Sequence, residues 1–199
     1  MSILDTLSPL RARLGSVRTQ GLDDATLLRL SAQFPELNTA AERAADALPA
    51  LLAEFAELID ADEQAQIDAT QSGFINFYPD DAINPYVAIA ACGPWVITLK
   101  GRVLHDSGGY GMLGFGHTPQ AVIETMSKPQ VMANIMSPSL SHMRVANALK
   151  KEIGHSRGAC PYAKFLTLNS GSESVSLAGR IADTNTKRHT DPGGRHAGK

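Results

Sequence analysis

Cysteine is scarce in this chain. The two present, Cys92 and Cys160, lie far apart and show neither a CxxC nor a Cys/His ligand spacing. That argues against a disulfide framework or a cysteine-based zinc site and fits a reducing, cytoplasmic setting, with both thiols acting as small buried hydrophobes. Net charge is small as well, −2 at neutral pH with a pI near 6.3. Nothing in that balance draws the chain to nucleic acid or to an anionic membrane. The start, Met1 to Asp5, lacks the basic-then-apolar layout of a secretory leader. Long apolar runs are missing: the longest, Tyr86 to Leu99, is broken by Gly93-Pro94 and is too short for a bilayer. No internal repeat or low-complexity tract stands out, and no His pairs with another His or Cys at metal spacing. What remains is an ordinary soluble composition, 43% hydrophobic and 19% charged over 199 residues. It suffices for one sizeable domain, or for one domain plus an N-terminal extension.

The first third, 1–72, reads as helical. Asp23-Asp24 can cap a short helix that runs to Phe34 and stops before Pro35. From Thr39 to about Thr70 the apolar residues Leu48, Leu51, Leu52, Phe55, Leu58 and Ile59 recur at helical spacing, and Pro49 would start or kink a helix there. The acidic residues Asp60, Asp62 and Glu63 read as a solvated helix end. From Gly73 the aromatics, prolines and asparagines suggest an irregular segment.

Two strand-like runs, Trp95 to Leu99 and Arg102 to His105, flank Lys100-Gly101 and predict a β-hairpin. A glycine-rich loop, Gly108 to Gly116, follows. Thr118-Pro119 then offers an N-cap and a first-turn proline for a helix to about Ser127. A further helix is predicted from Ser141 to Ile153, with Gly154 as its stop. Ala163 to Leu168 reads as a buried strand that enters Asn169-Ser170-Gly171-Ser172-Glu173-Ser174 and then a helix from Ser172 to Lys187. Strand, glycine turn and helix predict a parallel partner strand next. None follows, so the chain reads as cut off inside an α/β domain.

That last turn carries the chemistry. A helix start presents unpaired amides and the positive end of the helix dipole, and so can hold an anion. Gly171 allows close backbone approach, and Ser170 and Ser172 offer hydroxyl donors. The spacing of Ser170 and Glu173 equally fits a capping box, which many helices carry without binding anything.

Leu168 to Ser174 resembles the N-S-G-T/S-E-A turn of class III aminotransferases, which are pyridoxal-phosphate enzymes of fold type I. A second block, Gly101 to Gly109 followed by Gly116-His117-Thr118-Pro119-Gln120-Ala121-Val122, resembles that family's G-x-x-h-x-D-x-x-x-G…G-H-x-x-P-x-V pattern, where h is hydrophobic. The likeness covers about residues 94–183. It implies that Ser170, Gly171 and Ser172 bind the phosphate of pyridoxal 5′-phosphate. Ser172 replaces the usual threonine, and Ser174 the usual alanine. Tyr110 and Phe115 would line the substrate pocket, the alternative being a plain surface glycine loop, and His117 would serve at a helix start.

The resemblance further implies a homodimer that moves an amino group between an amine or amino acid and a 2-oxo acid. The domain order would be a helical region at 1–72, a small-domain hairpin and glycine loop at 73–160, and the opening of the cofactor domain at 161–199. The family's Schiff-base lysine lies downstream of the matched turn, and none of the seven lysines here occupies its motif. No residue is therefore expected to be catalytic in this chain by itself. An aminomutase or decarboxylase on the same fold, or a non-enzymatic fragment, stays open. Gly109-Tyr110-Gly111-Met112-Leu113-Gly114 also satisfies G-x-G-x-x-G, the dinucleotide fingerprint. However, its helix would start only beyond the glycines, and Asn134 stands where an acidic residue is expected.

Overall fold

The computed structural model describes residues 1–75, 79, 82, 84–107, 114–131 and 136–198. The chain is mixed helix and sheet in two compact units, Met1–Gln130 and Val131–Lys199. Among the described residues, no helix is long and apolar enough to cross a membrane.

The first unit opens with α1 (Ile3–Arg11), started by a reciprocal cap. The Ser2 hydroxyl accepts from the Asp5 amide and the Asp5 carboxylate accepts from the Ser2 amide. α2 (Asp24–Ser31) begins as its sequence predicts, with the Asp23 carboxylate accepting from the Thr26 amide at 2.9 Å. α3 (Pro35–Asp60) carries Pro35 in its first turn and passes through Pro49. Its break comes instead at Phe55, with φ −132° and ψ 37°. α4 (Glu63–Gln71) follows directly.

Three antiparallel strands then form one sheet in the order β1 (Ala88–Cys92), β2 (Trp95–Thr98), β3 (Val103–His105). The expected hairpin is β2–β3, with Ile97 opposite Val103 and Trp95 opposite His105. Its turn holds three residues, Leu99 to Gly101, closed by the Gly101 amide on the Thr98 carbonyl. Gly101 takes the left-handed position such a loop requires, at φ +64°. β1 was not foreseen. It pairs with β2 across Gly93-Pro94, where Cys92 faces Trp95 and Gly93 has φ +55°.

One core joins these parts. Leu37, Ala40, Ala41, Ala44 and Leu48 form a helical stripe on α3 that packs with Ile3, Leu7 and Leu10 of α1, Leu27 of α2, and Trp95, Ile97, Leu99 and Val103 of the sheet. The helices of 1–72 and the hairpin thus share a single interior.

The acidic cluster after α3 departs from the solvated helix end expected of it. It holds residues 13–19 against the α3–α4 junction. Asp60 takes two bonds from the Arg13 guanidinium and one from the Leu14 amide. Asp62 accepts from the Ser16 amide at 2.6 Å, and Glu63 Oε2 accepts from the amides of Arg18 and Thr19, both at 2.7 Å. The Arg13 guanidinium holds the Asp60 carboxyl below the usual carboxylate value of 3.8, and the Ser16 amide does the same for Asp62. A depressed folded-state value means that each contributes stability fully present above pH 3.8 and lost as pH falls through the lower folded value. Replacing both by asparagine should therefore lower the neutral plateau of the stability–pH curve and flatten its acid limb below pH 3.8. Denaturant titrations at stepped pH measure this; an unchanged acid limb would place the titration elsewhere.

After β3, α5 (Gln120–Met126) ends the regular structure of the first unit. The expected Thr118 cap is not formed. Thr118 sits at φ +55° and donates its hydroxyl to the Ala91 carbonyl, leaving Pro119 at the cap position without a side-chain bond.

The second unit contains α6 (Leu140–Gly154) and α7 (Gly171–Thr190). None of its described residues is buried. The buried strand expected at Ala163 to Leu168 is absent: the segment forms no ladder, and Leu166 is 64% exposed. A strand requires a hydrogen-bonded neighbour, and the one sheet among the described residues lies in the first unit.

Candidate functional site

α7 starts where the sequence places an anion-binding turn. Ser170 is its N-cap, with extended backbone, and its hydroxyl accepts from the Glu173 amide at 3.2 Å. The Glu173 carboxylate turns back to accept from the Asn169 amide at 3.0 Å. This is a capping box displaced by one residue, since the returning acid reaches Asn169 rather than the cap itself. Two amides of the first turn are not engaged by these bonds: those of Gly171 and Ser172, at the first two helical positions. A Cβ built on Gly171 meets nothing within 4 Å. The helix start is exposed, with room for a ligand beside it, and the dipole of a 20-residue helix points its positive end there.

Beside this turn lies an open cleft of about 470 Å³, lined by Leu168, Ser172, Glu173, Ser176, Leu177 and Arg180 among others. Ser172, Ser176 and Arg180 are spaced by four residues and so share one helix face. Arg180 is the cation that the sequence reading missed. Its eight-residue offset from Ser172, which puts the two on one face about two turns apart, was the available signal. The turn can hold a compact anion: two backbone amides and a serine hydroxyl supply donors, and Arg180, about two turns along the helix, adds positive charge to the cleft. Glu173 opposes this with a carboxylate on the same cleft.

The upstream block forms its own arrangement in the first unit. His117 Nε2 lies 3.1 Å from Asp106 Oδ2, and His117 exchanges two backbone bonds with Gly93, at 3.0 and 2.7 Å. The Asp106 amide donates to the Pro94 carbonyl at 2.7 Å. The aspartate and histidine of the matched pattern thus meet over the β1–β2 turn and fasten both ends of the intervening loop. His105 packs edge-on against Trp95, with ring centroids 5.1 Å apart, and its Nδ1 lies 3.2 Å from the Ser107 hydroxyl.

Of the two residues proposed to line a substrate pocket, Phe115 is 82% exposed, and Tyr110 lies outside the described residues, as does most of the G-x-G-x-x-G run. Ser170, Gly171 and Ser172 are together on α7. Among the described residues, no group of three or more His, Cys, Asp or Glu could hold a metal ion. Compared with known proteins, the chain matches no family model, no curated protein and no solved structure.

Proposed function

We propose that the turn at 169–173 holds the phosphate end of pyridoxal 5′-phosphate, in the scaffold of a fold type I, class III aminotransferase. The reaction of the complete enzyme is amino-group transfer between an amine or amino acid and a 2-oxo acid, in a cytoplasmic homodimer. The observation that carries this reading is the pair of amides of Gly171 and Ser172 with open space beside them. They and the Ser172 hydroxyl donate to the phosphate oxygens. The Ser170 hydroxyl keeps the Glu173 amide engaged and so holds the turn in shape. The Arg180 guanidinium balances charge from the helix face. When bound, the cofactor's pyridine ring supplies the electron sink for the transfer. No lysine here matches the family's attachment position, so these 199 residues are expected to bind the cofactor without turnover. An aminomutase or decarboxylase of the same fold type would use the turn identically.

One observation favours a second reading, a helix cap with no ligand: the Ser170–Glu173–Asn169 bonds already serve the helix start well. Binding of pyridoxal phosphate and of unphosphorylated pyridoxal, followed by absorbance and calorimetry, separates the two. Two or three charge-assisted hydrogen bonds should favour the phosphate ester by about tenfold or more, and Ser172→Asp, which sets a carboxylate against it, should erase that preference. Equal binding of both compounds would leave the cap alone. Pyruvate-dependent amine transfer by the purified chain would contradict the absence of a working lysine.

A further inference from the structure

Residues 13–19 are held differently from everything around them. α1 before them is anchored by Leu7 and Leu10, both fully buried, and Leu27 anchors α2 after them. Between these anchors Leu14 is 71% exposed and Val17 38%, so no large apolar side chain fastens the segment. Its attachments are polar: the Arg13–Asp60 pair, the Leu14, Ser16, Arg18 and Thr19 amides on Asp60, Asp62 and Glu63, the Glu63 amide on the Ser16 carbonyl, the Thr19 hydroxyl on the Pro85 carbonyl, and an Arg18 contact with Gln64. Gly15, at φ +85°, lies so close over Ala61 that a Cβ would enter its carbonyl. Beneath is the Lys100 ammonium, which donates to the carbonyls of Leu14, Ile59 and Ala61 and is only 3% exposed.

We propose that residues 13–19 are a strap that opens while the hydrophobic core stays packed, and that opening uncovers Lys100. Regions with few buried apolar contacts open at lower free energy than a core. Here the core residues on both sides of the strap pack with α3 and the sheet, and none of residues 13–19 is among them. The groups facing the strap are Asp60, Asp62, Glu63 and Gln64 from the α3–α4 junction and Lys100 from the β2–β3 turn.

The test uses the full chain and an Asp60→Ala/Asp62→Ala variant at neutral pH. Trypsin cleavage after Arg13 and Arg18 should rise by about tenfold or more when these charged hydrogen bonds are lost, and acylation of Lys100, compared with the exposed Lys128 across a pH series so that a change in proton affinity is separated from a change in access, should rise with it. Fluorescence of Trp95, the one tryptophan in the sequence and 4% exposed, should not change. Cleavage that rises only together with a shift in that fluorescence, or no rise at all, overturns the proposal. Native-state hydrogen exchange on the unaltered chain provides a second measure should the variant not fold. The amides of Leu14, Ser16, Arg18 and Thr19 should exchange through an opening distinct from, and more frequent than, that exposing Ile97. A single common opening would overturn the proposal equally.

Discussion

Lys100→Ala is expected to destabilise the 1–130 unit by about 3–5 kcal/mol, the range for stripping one partner from a buried charged network. Three carbonyls, of Leu14, Ile59 and Ala61, lose their donor at once. Two of them belong to the C-terminal end of α3, where the helix dipole adds negative potential, and the carboxylates of Asp60, Asp62 and Glu63 stand nearby. Burial pushes the Lys100 ammonium below its usual value of 10.5, and those three carboxylates act to hold it up. Lys100→Met distinguishes the polar effect from a packing effect, because it refills most of the volume while supplying no donor. It should cost nearly as much as alanine in urea titrations followed by Trp95 fluorescence. Recovery of most of the stability by methionine would mean that the ammonium matters only as bulk.

Lys100 also shows where sequence reading stops. A lysine before glycine in a hairpin turn has the pattern of a solvated loop residue, and the turn itself was legible from its flanking apolar runs and Gly101. The destination of the side chain was not, because it depends on two helix ends brought alongside by packing. The same holds for Asp60, Asp62 and Glu63. Their spacing after an apolar helix suits water as well as it suits a strap of backbone amides arriving from 45 residues upstream. Local chemistry, by contrast, was readable: Asp23 caps α2 and Ser170 caps α7, although Pro35, read as the stop of one helix, proves to be the opening of the next. β1 escaped because Ala88 to Cys92 has neither alternation nor β-branched bulk apart from Ile89. It is a strand because β2 lies beside it.

In the candidate site the order of legibility reverses. The serine–glycine–serine turn was found from a short motif, and it does sit at a helix start. Arg180 was missed because only helical periodicity, projected two turns ahead, places it on the same face as Ser172. The segment before the turn illustrates the opposite error. Ala163 to Leu168 has the composition of a strand, but composition sets only a tendency, and pairing decides the outcome. Without a neighbouring strand, its backbone forms no ladder and Leu166 and Leu168 remain exposed.

Gly116→Ala should cost about 2–5 kcal/mol, the sum of left-handed strain and forced displacement of a packed neighbour. Gly116 sits at φ +72°, and its added Cβ would lie 2.8–2.9 Å from the backbone carbon and oxygen atoms of Gly93. Backbone cannot step aside as a side-chain tip can, and this stretch of it is tied to His117 through both the amide and the carbonyl of Gly93. Gly93→Ala is the matched comparison. Its φ of +55° carries a similar strain, yet its Cβ would meet only the Glu36 side chain, at 3.3 Å, so its cost should stay near 1–2 kcal/mol. The difference between the two variants isolates the backbone-on-backbone contact that brings Asp106 and His117 together. If both cost the same in denaturant titrations, the approach of Gly116 to Gly93 does not constrain the fold, and the glycine–histidine pair would be present for its turn geometry alone.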